Sequence, residues 1–317
     1  MKKIITIILI LSVISVSAGY SQDAHFSQYN NSRLNTNPAF TGTDSTFVIS
    51  ANYRLQWPNI SGSYRLINFS IDKYVHIIRG GVGLNYLYDN ESNGLYTKSR
   101  IDFNYAAHFE LFNHKLILKP GIQVGYFQTT IDWSKLTFGD MIDERRGFVY
   151  STNEVPASST KSNVDLSTGL LFYNNYFFGG IAVHHLTQPD EGLLGPSELP
   201  RKITIHGGVN LKFKKDSSGK FILSPTLLYM QQQDFNMLMP GITAKYKFIS
   251  VGLSYRSEDA FITTLAFQNK YVRVGYSYDY TVSKLTNNTT GGAHEVGISC
   301  FLKSKKKNCK IKTLRLI

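Results

Sequence analysis

Through most of this chain, apolar and polar side chains alternate residue by residue. The clearest ladder sets Val272, Val274, Tyr276, Tyr278 and Tyr280 against Tyr271, Arg273, Gly275, Ser277 and Asp279. A strand sends successive side chains to opposite faces, so one face of this segment suits an apolar medium and the other tolerates water. The same alternation puts Val82, Leu84, Tyr86 and Tyr88 on one face; Ile101, Phe103, Tyr105, Ala107 and Phe109 opposite Arg100, Asp102, Asn104, His108 and Glu110; and Ile122, Val124 and Tyr126 opposite Lys119, Gln123 and Gly125. Later segments set Ile203, Ile205, Val209 and Leu211 against Lys202, Thr204, His206 and Asn210, and Val296, Ile298 and Cys300 against Glu295, Gly297 and Ser299. Charges gather on one face of each segment, as a lipid-facing surface demands. Repeated alternating segments of about ten residues predict an all-β fold, an antiparallel transmembrane β-barrel.

Alternation and turn signals together predict about fourteen strands between residues 46 and 302. With the first strand at Thr46 to Leu55, the long connections (Thr129 to Asn163, Thr187 to Pro200, Val282 to Gly292) all join an odd strand to the next even one. Even-to-odd connections are mostly tight, at Asn113-His114, Asn174-Asn175, Ile249-Ser250 and Asn269-Lys270. Long loops on one rim and short turns on the other is the asymmetry of outer-membrane barrels, with the long rim outside. A soluble β-sandwich also alternates but has no reason to sort its loops this way. An even count puts both termini in the periplasm, and Tyr86, Tyr88, Tyr126, Tyr229, Tyr255, Tyr276 and Tyr278 fall where an outer aromatic girdle belongs. Pro120, Pro225 and Pro240 lie inside assigned strands and predict bulges or strand starts, because each lacks an N–H donor.

The ends of the chain read differently. Lys2 and Lys3, the apolar run Ile4 to Val16 and then Ser17, Ala18, Gly19 and Ser21 have the layout of a signal peptide over residues 1–21, too short to span a bilayer and predicting a mature start near Gln22. Residues 22–45 are polar and do not alternate, which suits a periplasmic or lumen-plugging segment. Mean hydropathy is only −0.16 although the 317 residues include 20 Tyr and 20 Phe, as expected when half of every strand faces a polar lumen. Net charge is +12; without Lys2 and Lys3 it is +10, and seven of those charges lie in the tail 303–317. The basic excess is therefore a tail and not a groove, so nucleic acid is not expected as a partner; a periplasmic protein, peptidoglycan or anionic headgroups are, beside the plain alternative of a solvated end. Cys300 and Cys309 make no disulfide framework.

Candidate chemistry is sparse. Alternation sends adjacent His184 and His185 to opposite faces, and likewise His294 and Glu295, so neither pair is expected to chelate a metal. Asp140, Asp143, Glu144, Arg145 and Arg146 cluster in the longest loop without calcium-loop spacing, and with Trp133 they are candidate surface-loop contacts for a partner. The chain carries no Gly-x-Ser-x-Gly elbow, phosphate loop or zinc helix motif, so no enzyme activity and no cofactor is expected. Asn37 to Gly42 reads as a turn, with Asn37 extended before Pro38 and Gly42 free to take a positive φ. Phe26 and Phe40 could cap the barrel from inside, and Tyr53, Arg54 and Trp57 close the first outward strand, where Trp57 could anchor in the interface or bind substrate.

Several blocks together resemble one family. Gln22-Asp23-Ala24-His25-Phe26-Ser27-Gln28-Tyr29, Asn37-Pro38-Ala39-Phe40-Thr41-Gly42 and Tyr53-Arg54-Leu55-Gln56-Trp57-Pro58 are similar to the opening of the PorP/SprF outer-membrane proteins of Bacteroidetes. Phe177 to Pro189, Leu199-Pro200-Arg201-Lys202, Gly275 to Tyr280 and Gly291 to Glu295 follow in the family's order, and the basic tail departs from it. The resemblance implies a non-enzymatic barrel of the type IX secretion system, partnered by periplasmic and outer-membrane secretion components and by a cognate secreted surface protein such as a gliding adhesin. Barrel chemistry by itself leaves open a solute channel or hydrophobic-ligand transporter, and a structural envelope anchor.

Overall fold

The computed structural model describes residues 22–143, 145–153, 158–193, 195–215, 219–284, 286–302 and Leu314. The fourteen strands are β1 (Phe47–Gln56), β2 (Tyr64–Val75), β3 (Gly80–Glu91), β4 (Tyr96–Ala107, resumed at Phe109–Leu111), β5 (Leu116–Ile131), β6 (Thr160–Tyr173) and β7 (Phe177–His184). They continue as β8 (Lys202–Val209, resumed at Leu211–Lys215), β9 (Gly219–Gln232), β10 (Phe235–Tyr246), β11 (Ile249–Arg256), β12 (Ala260–Gln268), β13 (Val272–Thr281) and β14 (Ala293–Leu302). Each pairs antiparallel with its neighbours in the chain, and β14 returns to β1 in register from Phe47 opposite Leu302 to Gln56 opposite Ala293. The sheet is thus a closed fourteen-stranded barrel, and closure removes the edges that an open sheet would expose.

Two strands are interrupted, and both interruptions have one cause. The β4–β5 register runs from Ala106 opposite Gly121 to Phe109 opposite Leu118, which sets the break after Ala107 against Pro120. The β8–β9 register runs from Gly208 opposite Thr226 to Leu211 opposite Leu223, which sets the break after Val209 against Pro225. A proline gives no N–H to the ladder, so the partner strand loses a bond there. The expected bulges or strand starts are therefore not found at these prolines: Pro120, Pro225 and Pro240 sit within continuous strands, and two neighbouring strands break instead.

Outward-facing positions in the middle of the strands are mostly exposed and apolar. Leu84, Ile101, Phe103, Ile122, Val124, Val274, Val296 and Ile298 form this belt, while Arg100, Asp102, Asn104, Lys119, Gln123, Arg273 and Glu295 on the alternate positions are buried in the lumen. Exposed Tyr86, Tyr126, Tyr255, Tyr276 and Tyr280 border the belt near the long-loop rim, and Phe109, Phe112, Tyr176, Phe248 and Tyr271 border it near the short-turn rim. Two aromatic girdles of this kind belong to a membrane barrel. The long connections are residues 132–159, 185–201 and 282–292, all on one rim, and the first carries a small hairpin of Ile142–Asp143 with Gly147–Phe148.

Residues 22–46 occupy the lumen. They make a single α-helical turn, α1 (Arg33–Thr36), and then a 3-10 turn at Pro38–Phe40, before entering β1 at the short-turn rim. The first residues contact Lys202, His185 and Lys98, all at the long-loop end. β1 starts and β14 ends at the short-turn rim, while residue 22 lies at the opposite mouth. Of the tail 303–317, which otherwise falls outside the described residues, Leu314 is buried beside the plug and its backbone N–H donates to the Thr43 carbonyl at 3.2 Å.

Candidate functional site

The plug is fixed to the wall by three polar clusters stacked along the lumen. At the long-loop end the Asp23 carboxylate accepts from Lys202 Nζ at 2.6 Å and faces His185 Nε2 at 2.7 Å, with Lys98 at 3.9 Å. His185 Nδ1 faces Asp165 at 2.7 Å, and Asp165 accepts from Arg100, so one histidine ring bridges plug and wall. Burial opposes ionisation of Asp23, but Lys202 and His185 outweigh it and hold the carboxyl well below the usual carboxylate range. Alternation predicted that His184 and His185 point apart; both rings are buried, because His185 has a left-handed φ of 58° that ends the strand and turns it inward.

Deeper in, four charges surround Ser27. Arg54 and Arg256 approach Asp279 at 2.9 and 2.7 Å, and Arg54 lies 3.4 Å from Glu295. The Ser27 hydroxyl donates to Asp279 at 2.7 Å and accepts from both guanidinium groups, while Glu295 accepts from the backbone N–H of Ser27 at 2.7 Å and of Gln28 at 3.0 Å. A buried ion pair is tolerated only when its remaining donors and acceptors are satisfied, and plug atoms supply part of that satisfaction here.

Near the short-turn rim, Arg33 pairs with Asp72 at 2.9 Å, Asp72 accepts from the Gly42 N–H at 2.7 Å, and Lys119 donates to the Thr41 carbonyl at 2.6 Å. Asn37 is extended as expected before Pro38, and its side chain accepts from Ala39 N–H at 2.8 Å and donates to the Leu170 and Ile181 carbonyls at 3.2 Å. Gly42 takes the predicted positive φ, 63°. Phe40 stacks on His206 with ring centroids 4.9 Å apart, and with Leu34, Ala39, Ile117, Leu171, Tyr173, Phe178 and Leu314 it forms an apolar seal. A second apolar patch, Leu228, Met230, Met237, Met239 and Ile262, receives Tyr29.

The plug fits because the wall has notches. A Cβ on Gly121 would lie 2.6 Å from the Ala39 backbone, and one on Gly169 would lie 2.0 Å from Asn37 Oδ1. At Gly121 a larger residue leaves no room for the turn's backbone, and at Gly169 it displaces the Asn37 side chain from its hydrogen bonds.

Of the residues singled out from sequence, Phe26, Asn37, Pro38, Phe40 and Arg54 are buried inside the barrel. Tyr53 faces outward and is exposed, so it does not contact the plug. Trp57, with φ 59°, packs edge-on against Tyr64 at 5.3 Å and lines a cavity at the mouth, apart from the exposed aromatic girdle. Trp133 donates its indole N–H to the Ser158 carbonyl and closes the base of the longest loop, 3.1 Å apart. Asp140 accepts from Thr152 and Asn153, and Arg145 and Arg146 are exposed at the tip of the small hairpin. Glu144 lies outside the described residues. Sequence reasoning missed the wall partners Asp72, Lys119, Asp165, Arg256, Asp279 and Glu295. Their signal was available: each is a charged side chain on the inward face of a strand, all but Arg256 within its body, where a water-filled lumen does not require one.

A family model described as type IX secretion system membrane protein PorP/SprF matches residues 18–300. Among solved structures, a Pseudomonas aeruginosa FadL homologue is similar over 86% of this chain and 94% of its own, with 12% identity and a TM-score of 0.43. The CymD monoaromatic hydrocarbon channel is similar over 87% of this chain and 94% of its own, with 9% identity and a TM-score of 0.46. A search of curated proteins gives no match.

Proposed function

The chain belongs to the PorP/SprF family of type IX secretion system membrane proteins, and from that premise we propose that it is a plugged, non-enzymatic scaffold of the outer membrane, linking secretion machinery on its periplasmic side to export or surface retention of one cognate secreted protein. The observation that carries this reading is the lumen itself, occupied from mouth to mouth by residues 22–44 and tied to the wall by the Arg33–Asp72 and Asp23–Lys202 ion pairs. A barrel built this way presents its two rims, not its bore.

The long-loop rim is the better surface for a secreted partner. Ile142, Phe148, Val149 and Tyr150 are exposed there beside Asp140, Arg145 and Arg146. The small hairpin is pre-shaped: Asp143 accepts from the Arg145 and Arg146 N–H groups and from the Tyr150 hydroxyl, which hold its carboxyl below its ordinary value. Exposed apolar side chains on an ordered loop favour protein contact. The short-turn rim, with Leu314 docked on the plug, is assigned to periplasmic secretion components, and cleavage near residue 22 belongs to the same reading. Deleting the gene is expected to remove one surface protein, or a few, from the cell-surface proteome, and replacing Phe148 and Tyr150 together by serine is expected to reproduce that loss with normal barrel levels. A surface proteome unchanged by gene deletion overturns the proposal.

A further inference from the structure

At the long-loop mouth a cavity of about 340 Å³ lies between the start of the plug and the wall. On one side stand Asp89 and Glu91, two residues apart on β3 and so on one face of the strand. Asp89 is only 7% exposed. Neither carboxylate has a described cation within ion-pair distance, because the nearby cations are engaged elsewhere: Lys98 with Glu191 at 2.8 Å, Lys202 with Asp23, and Arg54 with Asp279 and Glu295. On the neighbouring strand β2, which sets Leu66 opposite Asp89 and Arg65 opposite Asn90, Tyr64 stands beside Glu91, and Trp57 packs edge-on against it with ring planes at 89°. His25 also lines it, and its Nε2 is buried without a hydrogen-bond partner. Burial and the charges of Arg256 and Arg54 hold that imidazole well below its ordinary value, so it adds no positive charge to the cup.

A carboxylate as buried as Asp89, with the half-exposed Glu91 beside it, gains more from an arriving cation than one in open water does. Carboxylates flanked by aromatic rings are complementary to a delocalised cation, which pairs with acids at its edge and stacks by its face. We infer that this cup is a binding site for one guanidinium group, an arginine side chain carried by a polypeptide at the long-loop rim, with Asp89 and Glu91 as counter-charges and Trp57 and Tyr64 as the stacking rings. The cavity accommodates a side chain, not a folded domain. The carrier of that arginine rests on the scaffold reading above; the cup's affinity for the group does not.

The test uses the full-length protein in detergent. Trp57 and Trp133 are its two tryptophans, so Trp133→Phe leaves Trp57 as the reporter. Titration with N-acetyl-arginine amide is expected to change Trp57 emission saturably, and the uncharged N-acetyl-citrulline amide to bind at least roughly tenfold more weakly. Asp89→Asn with Glu91→Gln is expected to weaken arginine amide binding by a similar factor. Glu91→Gln alone serves if the double variant loses the compact, heat-sensitive gel mobility of a folded barrel. Equal binding of the citrulline compound, unchanged binding by folded variants, or no saturable response overturns the inference. Because secretion plays no part in the measurement, a failed titration beside an altered surface proteome rejects the cup and leaves the scaffold standing, and the converse holds equally.

Discussion

Asp279 shows how much of the molecule hangs on single side chains. It stands between Arg54 and Arg256 and also receives the Ser27 hydroxyl, all of them buried. Asp279→Ala leaves two guanidinium groups short of a counter-charge, a change that costs about 3–5 kcal/mol. Thermal unfolding in detergent is expected to show that loss, against little change for Asp132→Ala on the exposed loop. Asp23 gives a pH dependence of definite sign. Its carboxyl titrates lower in the folded state than in the unfolded chain, so its tie to Lys202 and His185 is complete above about pH 4 and is lost as pH falls through the lower, folded value. Protease cleavage within residues 22–45 is expected to rise on acidification below that range, and Asp23→Asn to show the raised cleavage already at neutral pH. From sequence, Asp279 was legible as an inward residue, since alternation is local. Its partners were not: Ser27 and Arg54 are more than two hundred residues away, and nothing in a strand's own pattern says which charge it will meet.

At the scale of elements, the plug and the wall are shaped for each other. Gly121→Val puts a branched side chain where the Ala39 backbone lies 2.6 Å from a bare Cβ, and cannot coexist with the seated turn. The variant is expected to fold as a barrel and to release residues 22–45 to protease, while Gly139→Val in the open loop leaves them protected. The strands were readable because period two needs only consecutive residues, and the loop sorting followed from their count. The breaks in β4 and β8 were not, because each is caused by a proline on the facing strand. The plug was readable only as a segment that fails to alternate; its path depends on notches such as Gly169, and a glycine in a strand does not say what approaches it. The Met-rich patch on β9 and β10 was equally hidden, since those strands are apolar on both faces.

For the whole molecule, the stacked clusters make a stopper whose removal should turn a silent barrel into a conducting one. Purified full-length protein is expected to carry no steady current in planar bilayers, and a form lacking residues 24–44 to open a stable pore lined by Arg54, Arg100, Asp165 and Glu295; current from the intact chain would contradict this. The path of the plug bears on construction as well. It precedes β1 directly, and the seam that closes the ring joins β1 to β14. Glu295 and Ser299 of β14 bind Ser27, Gln28 and Asn31 across that seam, on the plug side of it. Passing a charged segment through a finished ring is far costlier than laying the ring around it, so the N-terminal residues are expected to act as a mandrel that hastens closure without being required for it: a form lacking residues 24–44 still draws its hoop shut, but refolds more slowly than the intact chain.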